Sequence, residues 1–425
     1  MKNKVQNAVI ALLSATAILL FVLTAVSERG LFFSPASTDG TQNESGSTGP
    51  LMPVAAVLND GDCSLLGKNR LLTPYFEVVR PILVELLGSA NAPAQVDPAR
   101  WVAALNGKGV LLDYGAVLPV AVIGGSEEGP LTELYADSLL ITLTKELAEL
   151  YLYADGVCYM STTALKTADL EPRLLGSEGE AVVYACTLGK TGTALTPHSA
   201  VPIAAQAAGV LTRTPLCDEN GSYERERQMI LLEAFGFDSY TARSYADASS
   251  GRVFLAEGGT LRAGGDGSLT FVAADEAAVA AMLGDSAACV DRASAILADC
   301  IAGLTNVPRY VLSAVETQGD RTIASFDAWY DGVVLVATNG SRTAARFVFQ
   351  GDLLVQAEVA LFAVSVSETD AAAPQLNPQA LLAGLTGDGS SGRLSWAYLE
   401  RGNVWQAAFC VLPVVRGGNG ADIHG

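Results

Sequence analysis

The 425-residue sequence predicts an α+β fold. One amino-terminal transmembrane helix leads into antiparallel-sheet domains of meanders and hairpins, with a few covering helices. Three observations predict this. An uncharged apolar run of helical length lies near the start. Tight-turn dipeptides sit between runs of alternating polarity. Apolar residues at helical spacing occur in only a few segments, without the steady strand–helix alternation of a doubly wound sheet.

The apolar run is Ala8–Val26, "AVIALLSATAILLFVLTAV", whose only polar residues are Ser14, Thr16 and Thr24. Lys2 and Lys4 precede it, so the positive-inside bias puts the amino terminus in the cytoplasm and the rest of the chain outside. The run is longer than a signal-peptide core, which favours an uncleaved anchor over cleavage near Ala25-Val26-Ser27. Asn7, just before the run, and Ala11 and Ala15 within it recur at a spacing of four and share one helix face, where small residues let a second membrane helix approach. "SPASTDGTQNESGSTGP" (Ser34–Pro50) is too polar to bury a core and reads as a tether.

Globular sequence begins near Leu51. "TPYFEVVRPILVELLGSA" (Thr73–Ala90) reads as a helix interrupted at Pro81, and Asp97-Pro98 opens a second helix with a cap and a first-turn proline. Gly109–Gly125 reads as two apolar strands. Asp155-Gly156 marks a two-residue hairpin, and Asp266-Gly267, Asp331-Gly332 and Asn339-Gly340 are sited similarly. Ser222–Phe237 reads as a helix capped by Ser222 and stopped at Gly236. Asp285–Leu304 places Val290, Ala293, Ile296, Leu297, Cys300, Ile301 and Leu304 at helical spacing, so it packs on a sheet. A last hairpin turns at Gly402-Asn403. The resulting order is cytoplasmic residues 1–7, anchor 8–26, linker 27–50, an extracytoplasmic domain 51–215, a helix-plus-meander domain 216–275, an α+β domain 276–415 and a tail 416–425.

Composition narrows function. Apolar residues make up 50% and charged residues 17%, enough for sizeable cores. The formal net charge is −19; with Lys2 and Lys4 set aside, 24 basic residues face 45 acidic ones, a balance that repels nucleic acid and anionic lipid. The seven cysteines contain no Cys-x-x-Cys pair; most read as small buried apolar residues, with room for one chance disulfide.

The glycines of "RVFLAEGGTLRAGGDGSLTFVAAD" (Arg252–Asp275) are followed by extended runs. No Gly-Lys-Ser/Thr or helix start follows to hold a phosphate, so they turn a three-stranded meander. A Gly-x-Gly-x-x-Gly at Gly387, Gly389 and Gly392 follows the helix-like run Pro378–Leu385 and precedes a strand, the reverse of the dinucleotide order. Histidine is limited to His198 and His424, so a zinc site or a Ser-His-Asp triad has only His198 to draw on. Paired carboxylates of a glycosidase type need no histidine, but no spacing singles out a pair; Asp113 reads as a strand-end acceptor of backbone hydrogen bonds. Trp329, Trp396 and Trp405 read as core, and Glu224–Arg227 as a solvated first helical turn. The residues thus provide no catalytic, cofactor-binding or metal site. An anchored envelope hydrolase or a passive envelope-binding module remain as alternatives to a regulator.

The strand patterns carry a resemblance. "ERERQMILLEAFGFDSYTARSYADASSGRVFLAEGGTLRAGGDGSLTFVA" (running to Ala273), "SFDAWYDGVVLVATNGSRTAARFVFQGDLLVQAEVALFAVS" (Ser325–Ser365) and "LSWAYLERGNVWQAAFCVLPV" resemble runs of the YycH/YycI family. "GVLLDYGAVLPVAVI" and "AELYLYADGVCYMST" are similar to the first domain of YycH, which places the likeness on the YycH side. The resemblance implies a membrane-anchored, extracytoplasmic protein without enzyme activity or cofactor. It would bind and modulate a WalK-type sensor histidine kinase together with a YycI-like partner, with membrane helices taking part. The matching positions are fold positions, so no functional residues carry over.

Overall fold

A computed structural model of the chain describes residues 51–125, 129–188, 196–202, 210–247, 251–274, 285–367, 392–402, 404–413 and 415–416. The expected anchor with Asn7, Ala11 and Ala15, the linker, Gly387, Gly389, Pro378–Leu385 and His424 lie outside the described residues. Among the described residues, no helix is long and apolar enough to cross a membrane.

Two large sheets organise the chain. The first contains β1 (Ala55–Asn59), β2 (Cys63–Leu66), β3 (Ala94–Val96), β4 (Gly109–Pro119), β5 (Tyr135–Leu143), β6 (Leu147–Ala154), β7 (Val157–Lys166), β8 (Glu180–Tyr184) and β9 (Ala200–Pro202), in the order β3-β7-β6-β5-β4-β1-β2-β8-β9. The second contains β10 (Val210–Pro215), β11 (Arg243–Asp247), β12 (Gly251–Ala256), β13 (Gly259–Gly264), β14 (Ser268–Ala273), β15 (Arg309–Gln318), β16 (Arg321–Tyr330), β17 (Val333–Val336), β18 (Thr343–Gln350), β19 (Leu353–Ala360), β20 (Phe362–Ser367), β21 (Gly392–Arg401) and β22 (Val404–Pro413). Its path is β11-β12-β13-β14-β19-β18-β16-β17-β21-β22-β10-β20, with β15 on β16. A last short strand, β23 (Val415–Arg416), returns to the first sheet and pairs in parallel with Ala116 and Val117 of β4. The β14–β19 pairing joins 216–275 and 276–415 in one sheet, and β10 lies in that sheet as well.

The turn chemistry acts as its φ preferences require. Asp155 and Gly156 (φ 51° and 84°) and Asp331 and Gly332 (φ 47° and 79°) are both left-handed, the two-residue geometry that matches strand twist. Asp266-Gly267 instead belongs to the three-residue loop 265–267. Asn339-Gly340 closes a longer loop between β17 and β18, which pair with β16 and not with each other.

Four elements depart from the sequence expectation. The helix Asn69–Ser89 runs unbroken through Pro74 and Pro81. A proline removes one intrahelical donor, but Leu72, Phe76, Val79, Leu83 and Leu86 bury one side of this helix in the core and hold it. Gly109–Gly125 is one long strand, β4, followed by the short helix Val120–Gly124. An irregularity between Asp113 and Leu118 lets β4 keep its pairing with β5. The helix expected from Ser222 starts at Arg225 and has no side-chain cap; its Gly236 end is as expected, with Gly236 and Phe237 N–H donating to Glu233 and Leu232. Finally, Glu224–Arg227 is not wholly solvated, because Arg227 is half-buried and donates to Ala302 O at 3.0 Å.

The helix Pro98–Leu105 does begin at Asp97, which accepts from Ala99 N at 2.7 Å. The helix Ser286–Ile301 is likewise capped by Asp285 and buries Val290, Ala293, Ile296, Leu297, Cys300 and Ile301. It shares one continuous core with the β12–β14 meander (Phe254, Leu261, Phe271) and with β16 and β18 (Phe326, Phe347).

Candidate functional site

His198, the histidine that sequence reasoning could offer to catalysis, lies in a fully buried cluster. Strand β5 supplies Asp137 and Ser138, β6 supplies Tyr153, and the helix Pro98–Leu105 supplies Trp101. The imidazole packs edge-on to Trp101 (5.6 Å between centroids) and to Tyr153 (4.9 Å). Ser138 Oγ is 3.0 Å from His198 Nε2, and Asp137 Oδ1 is 3.6 Å from that same nitrogen. A relay needs the serine on one ring nitrogen and the carboxylate on the other, so that a proton passes through the ring. With serine and carboxylate both on Nε2, and His198 1% exposed, this cluster fastens residues 196–202 to the sheet.

The loop after β13 meets the nucleotide question directly. Asp266 Oδ1 accepts from Ser268 N at 2.9 Å and from Ser268 Oγ at 2.6 Å, and this hydrogen bonding holds its carboxyl below the usual range. Arg213 Nη2 donates to Asp266 O, and Leu361 N donates to Gly267 O. A Cβ at Gly265 would collide with the Glu219 carbonyl, and one at Gly267 with the Leu361 carbonyl. The glycines admit neighbouring backbone, and the meander read from the sequence is what they build.

The other singled-out residues are structural. Asp113 accepts a backbone hydrogen bond, as expected, from Gly115 N at 2.9 Å, but it does so inside β4, where the register shifts and Gly115 has a φ of 74°, and not at a strand end. Trp329 and Trp405 are buried, and Trp396 is half-buried. All seven cysteines are free thiols. Burial pushes Cys158 and Cys300 up to about 12 and Cys289 up to about 11, which keeps them protonated and unreactive. Among the described residues, no group of three or more His, Cys, Asp or Glu side chains is arranged to hold a metal ion.

Two features had no sequence signal. Arg342 Nε and Asp327 Oδ2 form a buried ion pair at 3.2 Å. Burial raises the Asp327 carboxyl, and Arg342 and Ser313 draw it partly back. A groove of about 290 Å³ opens beside the helix Asn69–Ser89, lined by apolar Leu66, Leu71 and Val78 and by charged Arg70, Arg173 and Glu178. Arg70 and Arg173 are far apart in the chain, so no motif announces the groove.

No known family's sequence profile matches the chain, and neither does any curated protein. Among solved structures, the crystal structure of YycH from Bacillus subtilis matches at 11% sequence identity and a TM-score of 0.49, covering 88% of this chain and 99% of that one.

Proposed function

We propose that the chain is a membrane-anchored, extracytoplasmic regulator of the YycH type. In this reading it acts by binding rather than catalysis, modulating a WalK-type sensor histidine kinase with a YycI-like partner. The observation that carries the reading is where the family-like residues lie. In "VFLAEGGTLRAGGDGSLTF", Phe254, Leu261, Leu269 and Phe271 are core positions of one meander, and Asp266-Gly267 is its turn. A resemblance seated on packing and turn positions is one of fold-determining residues, which suits a binding scaffold. The uncharged run Ala8–Val26 behind Lys2 and Lys4 supports the anchor, and the Asn7, Ala11 and Ala15 face supports a helix–helix contact.

Regulation of this kind is an equilibrium bias: contacts that differ in free energy between two kinase states shift their populations. The test is co-purification of the full chain with the kinase from membranes, with Ala8–Val26 intact or replaced by an unrelated apolar helix. The replacement is expected to reduce recovery of the kinase and to alter signalling. Unchanged association and signalling would sink the role given to the membrane helix.

A further inference from the structure

Strand β11, "RSYAD", ends the second sheet. Among the described residues it pairs with β12 alone, in an unbroken five-residue ladder from Arg243↔Leu255 to Asp247↔Gly251. Arg243, Ser244, Tyr245 and Ala246 are all exposed. Sheet edges are commonly guarded by charged side chains, proline or a bulge; this strand has no proline or bulge, and its only charges are Arg243 and Asp247 at its two ends.

The register gives the faces. Directly paired residues share a face, so Arg243, Tyr245 and Asp247 lie with Leu255 and, across Thr260, with Val272. Phe254, Leu261 and Phe271 lie on the other face, in the core. The outer face therefore presents Tyr245 (51% exposed), Leu255 and Val272, and Tyr240 (81% exposed) stands just before the strand.

The charges select the occupant. The strand reads Arg–Ser–Tyr–Ala–Asp, with a cation and an anion at equal distances on either side of Tyr245. Antiparallel pairing with a second copy, centred on Tyr245, sets each Arg243 against the other copy's Asp247 and the two Tyr245 rings against each other. Opposite charges placed directly across a strand pair are favourable, and like charges are not.

We propose that β11 pairs antiparallel with β11 of a second copy, in the register that places Tyr245 on a twofold axis. The two second sheets then form one continuous sheet, a self-complementary contact. It makes about four to six backbone hydrogen bonds and covers part of the Tyr245–Leu255–Val272 face. A contact this small gives a weak dimer, with a dissociation constant on the order of 10 µM. The proposal is independent of the regulatory reading.

The test uses the full chain in mild detergent under reducing conditions, with mass followed against concentration. The wild type is expected to dimerise in the micromolar range. Arg243→Asp sets Asp against Asp and Asp247→Arg sets Arg against Arg, so each alone should weaken association at least tenfold. Mixed one to one, the two variants are complementary and should associate within about threefold of wild type. Asp247 also pairs with Arg262 at 3.3 Å, so thermal unfolding of each variant accompanies the measurement. Tyr245→Cys supplies a second readout that needs no charge change: a covalent dimer on mild oxidation, above the wild-type background. A wild type that stays monomeric to 100 µM, a mixture no better than either variant alone, or a Tyr245→Cys chain that never links would overturn the proposal.

Discussion

Strands β5 and β11 use similar side chains to opposite ends. Every residue of β5 after Tyr135 is buried, so its Asp137 and Ser138 turn inward, to His198. In β11 the residues from Arg243 to Ala246 are exposed, and among the described residues the outer edge carries no strand. Polar chemistry in a central strand covered on both faces is consumed in holding the fold; at an open edge it is available to a partner. For a protein read as a binder, the edge is therefore the more informative place to look, although the buried cluster looks more like a site.

Three substitutions sharpen or break that contrast. Arg342→Ala should have the largest effect on stability, about 3–5 kcal/mol at neutral pH, because it leaves Asp327 charged and buried without its cation. Asp327 is raised in the folded state, so the native chain holds this proton more readily than the unfolded one. Its contribution is most favourable below the ordinary carboxylate range and is lost as pH rises through the raised value. The cost of Arg342→Ala should accordingly shrink in denaturant titrations at acid pH; a cost independent of pH would show that the pair is not the cause. His198→Ala should cost about 2–4 kcal/mol by emptying the space between Trp101, Tyr153 and Ser138. A variant that instead melts like wild type and loses a hydrolytic turnover would reverse the reading of that cluster. Leu255→Ser, on the outer face of the β11–β12 ladder, should change stability by no more than about 0.5 kcal/mol while weakening self-association in the mass measurement.

What the sequence made legible is local. Asp285 followed by apolar residues at helical spacing, and Asp-Gly between alternating runs, each state a structure within a few residues of themselves, and the helix Ser286–Ile301 and the 155–156 and 331–332 turns follow. Pro81 misled because the loss of one helical donor is visible in sequence, whereas the burial of Phe76, Val79 and Leu83 that outweighs it depends on distant strands. The short helix Val120–Gly124 hid in an apolar run whose periodicity serves strand and helix equally. His198 could be named but not placed: its neighbours Trp101, Ser138 and Tyr153 come from separate elements, and a loop-like sequence context does not disclose burial. Arg70 and Arg173 come to line one groove, and Asp327 pairs with Arg342, only after the sheets have formed.

The parallel pairing of Val415–Arg416 with Ala116–Val117 has a temporal consequence. These partners stand roughly 300 residues apart, and contacts that distant form late and slowly. During synthesis β4 waits, with one of its bonding positions unfilled, until nearly the entire polypeptide has emerged. This pairing is thus among the last to close, on two sheets that a shared core and the Arg309 Nη2 donation to Pro53 O already hold together.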